Sequence, residues 1–240
     1  MTKLFSTLVM LTLSLATLAQ QTDENTTIAP TQDATNSYKP EARETSLEVQ
    51  FEPFGDNPVS INGIRARFFK SPNKAVRLNV FLGYDVDSDI TQQAVSNTNL
   101  RELKDRTAIF SLNIRPGYEW HLKGTKKLSP YFGMEMDLGY QISRFKSEVQ
   151  NGDDVNYTLR KNDNGFFRIG ANAIAGLDFY VAKKLYLGTE MGFGASVTRL
   201  LDVEVESDVT GFQEPDPLKR GSAFDIGPNV NVDIRLGYVF

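Results

Sequence analysis

From Val230 to Phe240 every even position is apolar or aromatic: Val230, Val232, Ile234, Leu236, Tyr238 and Phe240. The odd positions hold Asn231, Asp233, Arg235 and Gly237, with Val239 the single exception. Successive side chains of a strand point to opposite faces, so a period of two gives this segment one apolar and one polar side. A helix would scatter the same residues around its circumference. A chain that repeats this pattern can only fold by turning all of its apolar faces one way.

The pattern does repeat, and about eight alternating segments follow Thr45. The first sets Leu47, Val49 and Phe51 against Glu48, Gln50 and Glu52, and the second, less regular, sets Ile64, Ala66 and Phe68 against Arg65 and Arg67. The third runs from Val76 to Asp85, and the fourth places Ala108, Phe110, Leu112, Ile114, Tyr118 and Trp120 on one side. The fifth alternates Phe132, Met134, Met136, Leu138, Tyr140 and Ile142 with Gly133, Glu135, Asp137, Gly139 and Gln141. The sixth runs from Phe167 to Val181, the seventh from Leu185 to Val197, and the eighth from about Phe224 to Phe240. This many long period-two segments predict an all-β, eight-stranded antiparallel up-and-down barrel.

Facing decides the solvent. One side collects Leu, Ile, Val, Phe, Met and Tyr. The other collects Arg65, Arg67, Arg77, Arg115, Arg168 and Arg235, and with them Glu48, Asp85, Glu119, Glu135, Asp137, Asp178, Glu190 and Asp233. A soluble barrel that holds an apolar ligand would not fill its interior with ions. An Arg at the lipid midplane costs roughly 2–4 kcal/mol, so the charges are expected inside and the apolar side toward lipid. Eight strands enclose a space that side chains can fill. Interlocking guanidinium and carboxylate groups are therefore expected in place of an open channel, with Arg preferred to Lys for its several planar donors.

Ser71 to Lys74, Lys123 to Lys127 and Ala182 to Lys184 read as tight turns, whereas Val86 to Arg106, Phe145 to Asn164 and Leu200 to Gly221 read as long polar loops. Membrane barrels pair short periplasmic turns with long outer loops, which sets the orientation. The connection near Gly55 to Ser60 is unusually short for the outer end. Tyr118, Trp120, Phe179, Tyr180, Tyr238 and Phe240 then form an aromatic girdle on the turn side. Pro116, Pro130 and Pro228 each withhold a backbone donor and mark bulges or strand ends.

The amino-terminal residues agree with export. Met1 to Ala19 has one early positive charge, a short apolar run and small residues at its end, and reads as a cleaved signal peptide. Residues 20–44 are polar and read as a disordered periplasmic leader, which leaves 45–240 for the barrel. The chain has no Cys, hence no disulfide or lipid-anchored thiol, and its formal net charge of -4 offers nothing to nucleic acid. Composition alone does not separate this chain from a soluble secreted protein.

Candidate chemistry is sparse. The only histidine, His121, lies beside Trp120 on the turn side, the wrong end for a hydrolase or acyltransferase working at the outer rim, and reads as an interfacial residue. Asp85-Val86-Asp87-Ser88-Asp89 begins like a calcium loop, but Ile90 replaces the required Gly and Ser96 the required Glu. No catalytic residue, cofactor or metal is expected.

The terminal strand, the alternating segments and phrases such as Ser129-Pro130-Tyr131-Phe132-Gly133-Met134-Glu135 resemble the OmpA/OmpX-type outer-membrane barrels and the porin-family barrels of Bacteroidetes-like bacteria. The resemblance covers about residues 45 to 240. It implies residence in the bacterial outer membrane among lipids and lipopolysaccharide. It also implies insertion by a barrel-assembly machinery that reads Val230, Val232, Ile234, Leu236, Tyr238 and Phe240. The expected role is non-enzymatic, in envelope integrity or surface interaction through the outer loops, as a monomer whose extracellular ligand is unknown. A narrow channel, or a transport or secretion accessory barrel, is the alternative.

Overall fold

The structure, a computed structural model, describes residues 37–51, 61–95, 99–229 and 234–240. The signal peptide, residues 20–36 of the leader, the Gly55 to Ser60 connection, Glu52, Ser96, Val230, Val232 and Asp233 lie outside them. Eleven strands follow in order: β1 (Thr45–Phe51), β2 (Ile61–Ser71), β3 (Lys74–Gln92), β4 (Leu103–His121), β5 (Leu128–Asn151), β6 (Asp154–Lys161), β7 (Phe166–Ala182), β8 (Leu185–Leu200), β9 (Glu204–Ser207), β10 (Ser222–Asn229) and β11 (Ile234–Val239). All pairings are antiparallel. They join in the ring β1-β2-β3-β4-β5-β7-β8-β11 and back to β1, so eight strands close on one another in the turn-side half. Farther out β10 takes the place of β11 beside β8.

Along these strands burial is inverted relative to a soluble protein. On β5, Met134 is 64 % exposed while its neighbour Glu135 is 6 % exposed. Phe132, Met136, Tyr140, Phe167, Phe193 and Tyr238 are exposed on the outside, whereas Arg67, Arg77, Glu119, Asp178 and Arg235 are fully buried inside. The period-two sequence thus maps onto an apolar exterior and an ionic interior, the architecture of a transmembrane barrel.

The turns behave as their composition predicts. Pro72 and Asn73 join the Ser71–Lys74 pair, and Lys183 and Lys184 join β7 to β8 with Lys184 in the left-handed region at φ 63°. The three prolines fall where a missing N–H is tolerated. Pro116 pairs with Leu78 on β3, but the ladder toward β5 skips from Ile114 to Gly117 and then resumes in the same register. Pro130 pairs with Leu177 near the start of β5. Pro228 pairs with Phe193 on β8, and among the described residues it has no partner on its other side.

At the opposite end two of the expected loops are sheet. β3 and β4 stay paired out to Gln92 and Leu103. β5 and β6 form a hairpin through a two-residue connection in which Gly152 adopts φ 66°. Within the expected Leu200 to Gly221 loop, β9 adds to β6. A strand of about 10 residues crosses a bilayer, and β5 has 24, so these hairpins project well beyond the lipid. Their two faces are both at least partly exposed, so burial there does not alternate as it does in the strands below.

The expected leader also ends earlier than its composition suggests, because Ser37 to Glu44 forms a collar under the turn-side mouth. Arg43 N donates to Phe69 O at 2.7 Å and Phe69 N to Glu44 O at 2.9 Å. Lys184 Nζ reaches the Glu44 carboxylate at 2.6 Å and Lys39 O at 3.2 Å. Tyr38 packs on the buried cluster Tyr180, Tyr186 and Val239. Val239 breaks the alternation of the last strand because its inward face here meets aromatic rings and not ions.

Candidate functional site: a filled ionic lumen

Each of the eight ring strands sends at least one charged side chain into a single network. β1 supplies Glu48, β2 Arg65 and Arg67, β3 Arg77, β4 Glu119, β5 Glu135, β7 Asp178, β8 Glu190 and β11 Arg235. Arg67 Nη1 donates to Asp178 at 2.5 Å, and its Nε lies 2.6 Å from Glu48 and 3.3 Å from Glu119. These Nε contacts are ion pairs without hydrogen-bond alignment. Arg77 meets Glu119 at 3.0 Å, Glu135 at 2.9 Å and Glu190 at 2.7 Å. Arg65 contacts Glu190 at 3.1 Å and Glu48 at 3.7 Å, and Arg235 joins Glu48 at 2.8 Å to Asp178 at 3.2 Å.

Ring order makes two of these contacts decisive. β2 and β7 are four steps apart in a ring of eight, and so are β3 and β8. Arg67–Asp178 and Arg77–Glu190 are therefore diametric pairs that cross the axis. A carboxylate buried without partners is expensive, and here neutral donors complete the arginines' work. Tyr131 O–H donates to Glu190 at 2.5 Å and Tyr186 O–H to Glu48 at 2.9 Å. The Arg67 guanidinium also lies 4.9 Å from the Tyr131 ring centre, within cation–π range.

Glycines make the room. A Cβ on Gly188 would stand 2.6 Å from both Arg235 Nη2 and Asp178 Oδ1, and a Cβ on Gly176 would overlap the Tyr131 ring.

Farther out the network thins. Asp137 is shared by Arg168 at 3.1 Å, Arg115 at 3.5 Å and Asn113 Nδ2 at 2.5 Å. Arg115, Asp137 and Arg168 line a polar cavity of about 130 Å³ together with Asn172, Ser196 and Asp225. That volume has room for a few waters, and a smaller cavity that shares Arg115 and Asn172 with it is lined by Glu135 and Glu190. The structure thus brings together Arg65, Arg67, Arg77, Glu135, Asp178, Glu190 and Arg235 in one layer and Arg115, Asp137 and Arg168 in a second; Asp233 lies outside the described residues.

Two residues, His121 and Tyr180, stand elsewhere than sequence reading places them, and two that it leaves unplaced, Tyr131 and Tyr186, join the lumen. His121 is buried on the lumen side and not interfacial, with Nδ1 3.1 Å from Ser129 Oγ and Nε2 3.2 Å from Glu119 Oε2. A Ser-His-Glu chain invites comparison with a hydrolytic triad, but all three members are buried, Glu119 is held by Arg67 and Arg77, and neither lumen cavity is lined by them. Tyr180 leaves the outer girdle for the buried cluster, and Tyr131 and Tyr186 point inward as well. Parity was the available signal: 131 shares its face with Glu135, 180 with Asp178 and 186 with Glu190. The rest of the girdle faces out, with Trp120 stacked on Phe132 at 5.4 Å and Tyr238 edge-on to Phe240 at 5.2 Å.

A ring of eight antiparallel strands with ions inside and grease outside defines a small membrane-barrel fold. Solved structures similar to this chain are outer-membrane proteins. The N-terminal β-barrel domain of Pseudomonas aeruginosa OprF is 12 % identical, with 84 % of this chain and 100 % of that one covered and a TM-score of 0.30. Acinetobacter baumannii CarO2 is 10 % identical, with 84 % and 100 % covered and a TM-score of 0.36. Ail, the attachment invasion locus protein of Yersinia pestis, is 13 % identical, with 83 % and 99 % covered and a TM-score of 0.27. No family model matches the chain, and no curated protein does.

Proposed function

We propose that this protein is a monomeric, non-enzymatic barrel of a bacterial outer membrane that serves envelope integrity or surface interaction. The contacts with the outside are made by the projecting β3–β4 and β5–β6 hairpins. The observation that carries this reading is the pair of diametric ion pairs, Arg67–Asp178 and Arg77–Glu190, which occupy the axis. A narrow channel has one foothold, the outer cavity at Arg115 and Arg168, whose lining includes neither diametric pair. Reconstituted in a planar bilayer, the protein is expected to show no steady open current; a stable conductance would overturn the filled-lumen reading.

The membrane facing has its own test. Leu138, on the outward side of β5, is expected to lose about 2–4 kcal/mol of stability in lipid vesicles when replaced by Arg. Gln141 faces the other way and its Nε2 donates to Asn164 O at 2.7 Å. Its replacement by Arg should cost less than about 1 kcal/mol. Equal costs in a denaturant titration would contradict the assignment of faces.

A further inference from the structure

Among the described residues the lumen network uses no lysine, and eight of the twelve lysines lie at the turn end. Lys70 and Lys74 flank the β2–β3 turn, Lys123 and Lys126 stand in the β4–β5 connection, and all four are exposed. Facing determines what they meet. Lys74 pairs with Trp120 and shares the outward parity of Val76 and Leu78, while Lys70, at the β-bulge between Phe69 and Ser71, is exposed beside the same turn. Trp120 itself stacks on Phe132. Lys74 therefore lies at the aromatic edge of the apolar belt, and the other three exposed lysines stand in the same or the next turn.

Few carboxylates offset them. Among the described residues Glu44 is taken by Lys184 at 2.6 Å and Glu119 and Asp178 are buried in the lumen network, which leaves Glu41 at this end. Lysine lays its methylene stem on apolar surface and carries its head to the phosphate level. As a hydrated point charge it suits a phosphate in water, where arginine suits the dry lumen. Near an anionic surface each such residue adds to the attraction.

We infer that the turn end of the barrel selects anionic glycerophospholipids in the leaflet it touches, with Lys70, Lys74, Lys123 and Lys126 as headgroup contacts. The inference rests on the membrane reading above and adds the partner at this rim. A soluble polyanion below the barrel would use the same charges but would not enrich any lipid beside Trp120.

Trp120 is the only tryptophan and sits against Lys74, so its fluorescence reports the lipid at this rim. The protein is reconstituted in phosphatidylcholine vesicles containing either brominated phosphatidylglycerol or brominated phosphatidylcholine with identical acyl chains. At low salt the anionic quencher is expected to show an apparent affinity about threefold or more above the zwitterionic one. The ratio should fall toward one in about 0.5 M salt and in the variant Lys70→Gln/Lys74→Gln/Lys123→Gln/Lys126→Gln. A ratio of one for the unmodified protein, or an unchanged ratio in the variant, would overturn the inference while leaving the membrane reading intact. Absence of quenching by either lipid would overturn the membrane reading, and this inference with it.

Discussion

Replacing Arg67 by Met should destabilise the folded barrel by about 3–5 kcal/mol, the range for removing one partner of a buried ion pair. Arg67 is fully buried and faces three buried carboxylates, Glu48, Glu119 and Asp178. Methionine matches much of its volume, so the loss is electrostatic: three anions would share Arg65, Arg77 and Arg235 with no cation at their centre. Arg115→Met is the control. Arg115 is a quarter exposed and stands 3.5 Å from Asp137, so water screens the pair and the expected loss is below about 1 kcal/mol. The double variant Arg67→Met/Asp178→Asn should recover part of the first loss, because it withdraws one of the stranded charges. Unfolding of the protein in lipid vesicles by denaturant, followed through Trp120, measures all three. A loss under about 1 kcal/mol for Arg67→Met would mean that water reaches the network and the lumen is open.

The alternation that makes this network possible was legible from the residues, and its reach has a physical limit. Period two assigns a face, so Glu135, Asp137, Asp178 and Glu190 were readable as lumen residues and Met134 and Phe193 as outward ones. It does not say which residue meets which across the axis. That depends on ring order and stagger, and the diametric pairing of Arg77 with Glu190 could not be read from either strand alone. Aromatic character misled where it competed with parity. Tyr180 looks like a girdle residue beside Phe179, yet its phase puts it inside, over the collar residue Tyr38. His121 was misplaced for the same reason beside Trp120.

The two ends were harder still. β6 and β9 lie where both faces of the sheet are partly exposed. Val155, Tyr157 and Leu159 do alternate with Asn156, Thr158 and Arg160, but the run is short and bounded by polar residues on both sides, and backbone pairing joins the hairpin. Ser37 to Glu44 has the composition of a disordered tail. What orders it is mainly backbone, through the Phe69 exchange with Arg43 and Glu44, together with Lys184. Composition carries little record of such contacts.

Deleting Phe240 is expected to remove most of the protein from the outer membrane while leaving a barrel that, once folded, is nearly as stable as the parent. The side chain is 65 % exposed and supports no core. Its backbone exchanges hydrogen bonds with Thr45, Phe240 N to Thr45 O at 2.8 Å and Thr45 N to Phe240 O at 3.4 Å, and losing that exchange costs about 1 kcal/mol or little more. A change of this size alters abundance several-fold at most. A deeper loss must therefore arise before folding is complete. β11 is the strand that closes the ring, with β1 on one side and β8 on the other, and we propose that its outward row Ile234, Leu236, Tyr238 and Phe240 is what an unfinished barrel presents for insertion. Two measurements separate the stages: the amount of the shortened chain in outer-membrane fractions, and its denaturant midpoint after refolding into vesicles. Normal membrane levels would sink the idea that Phe240 serves insertion, whereas a midpoint loss far above about 1 kcal/mol would assign the residue to the stability of the finished ring.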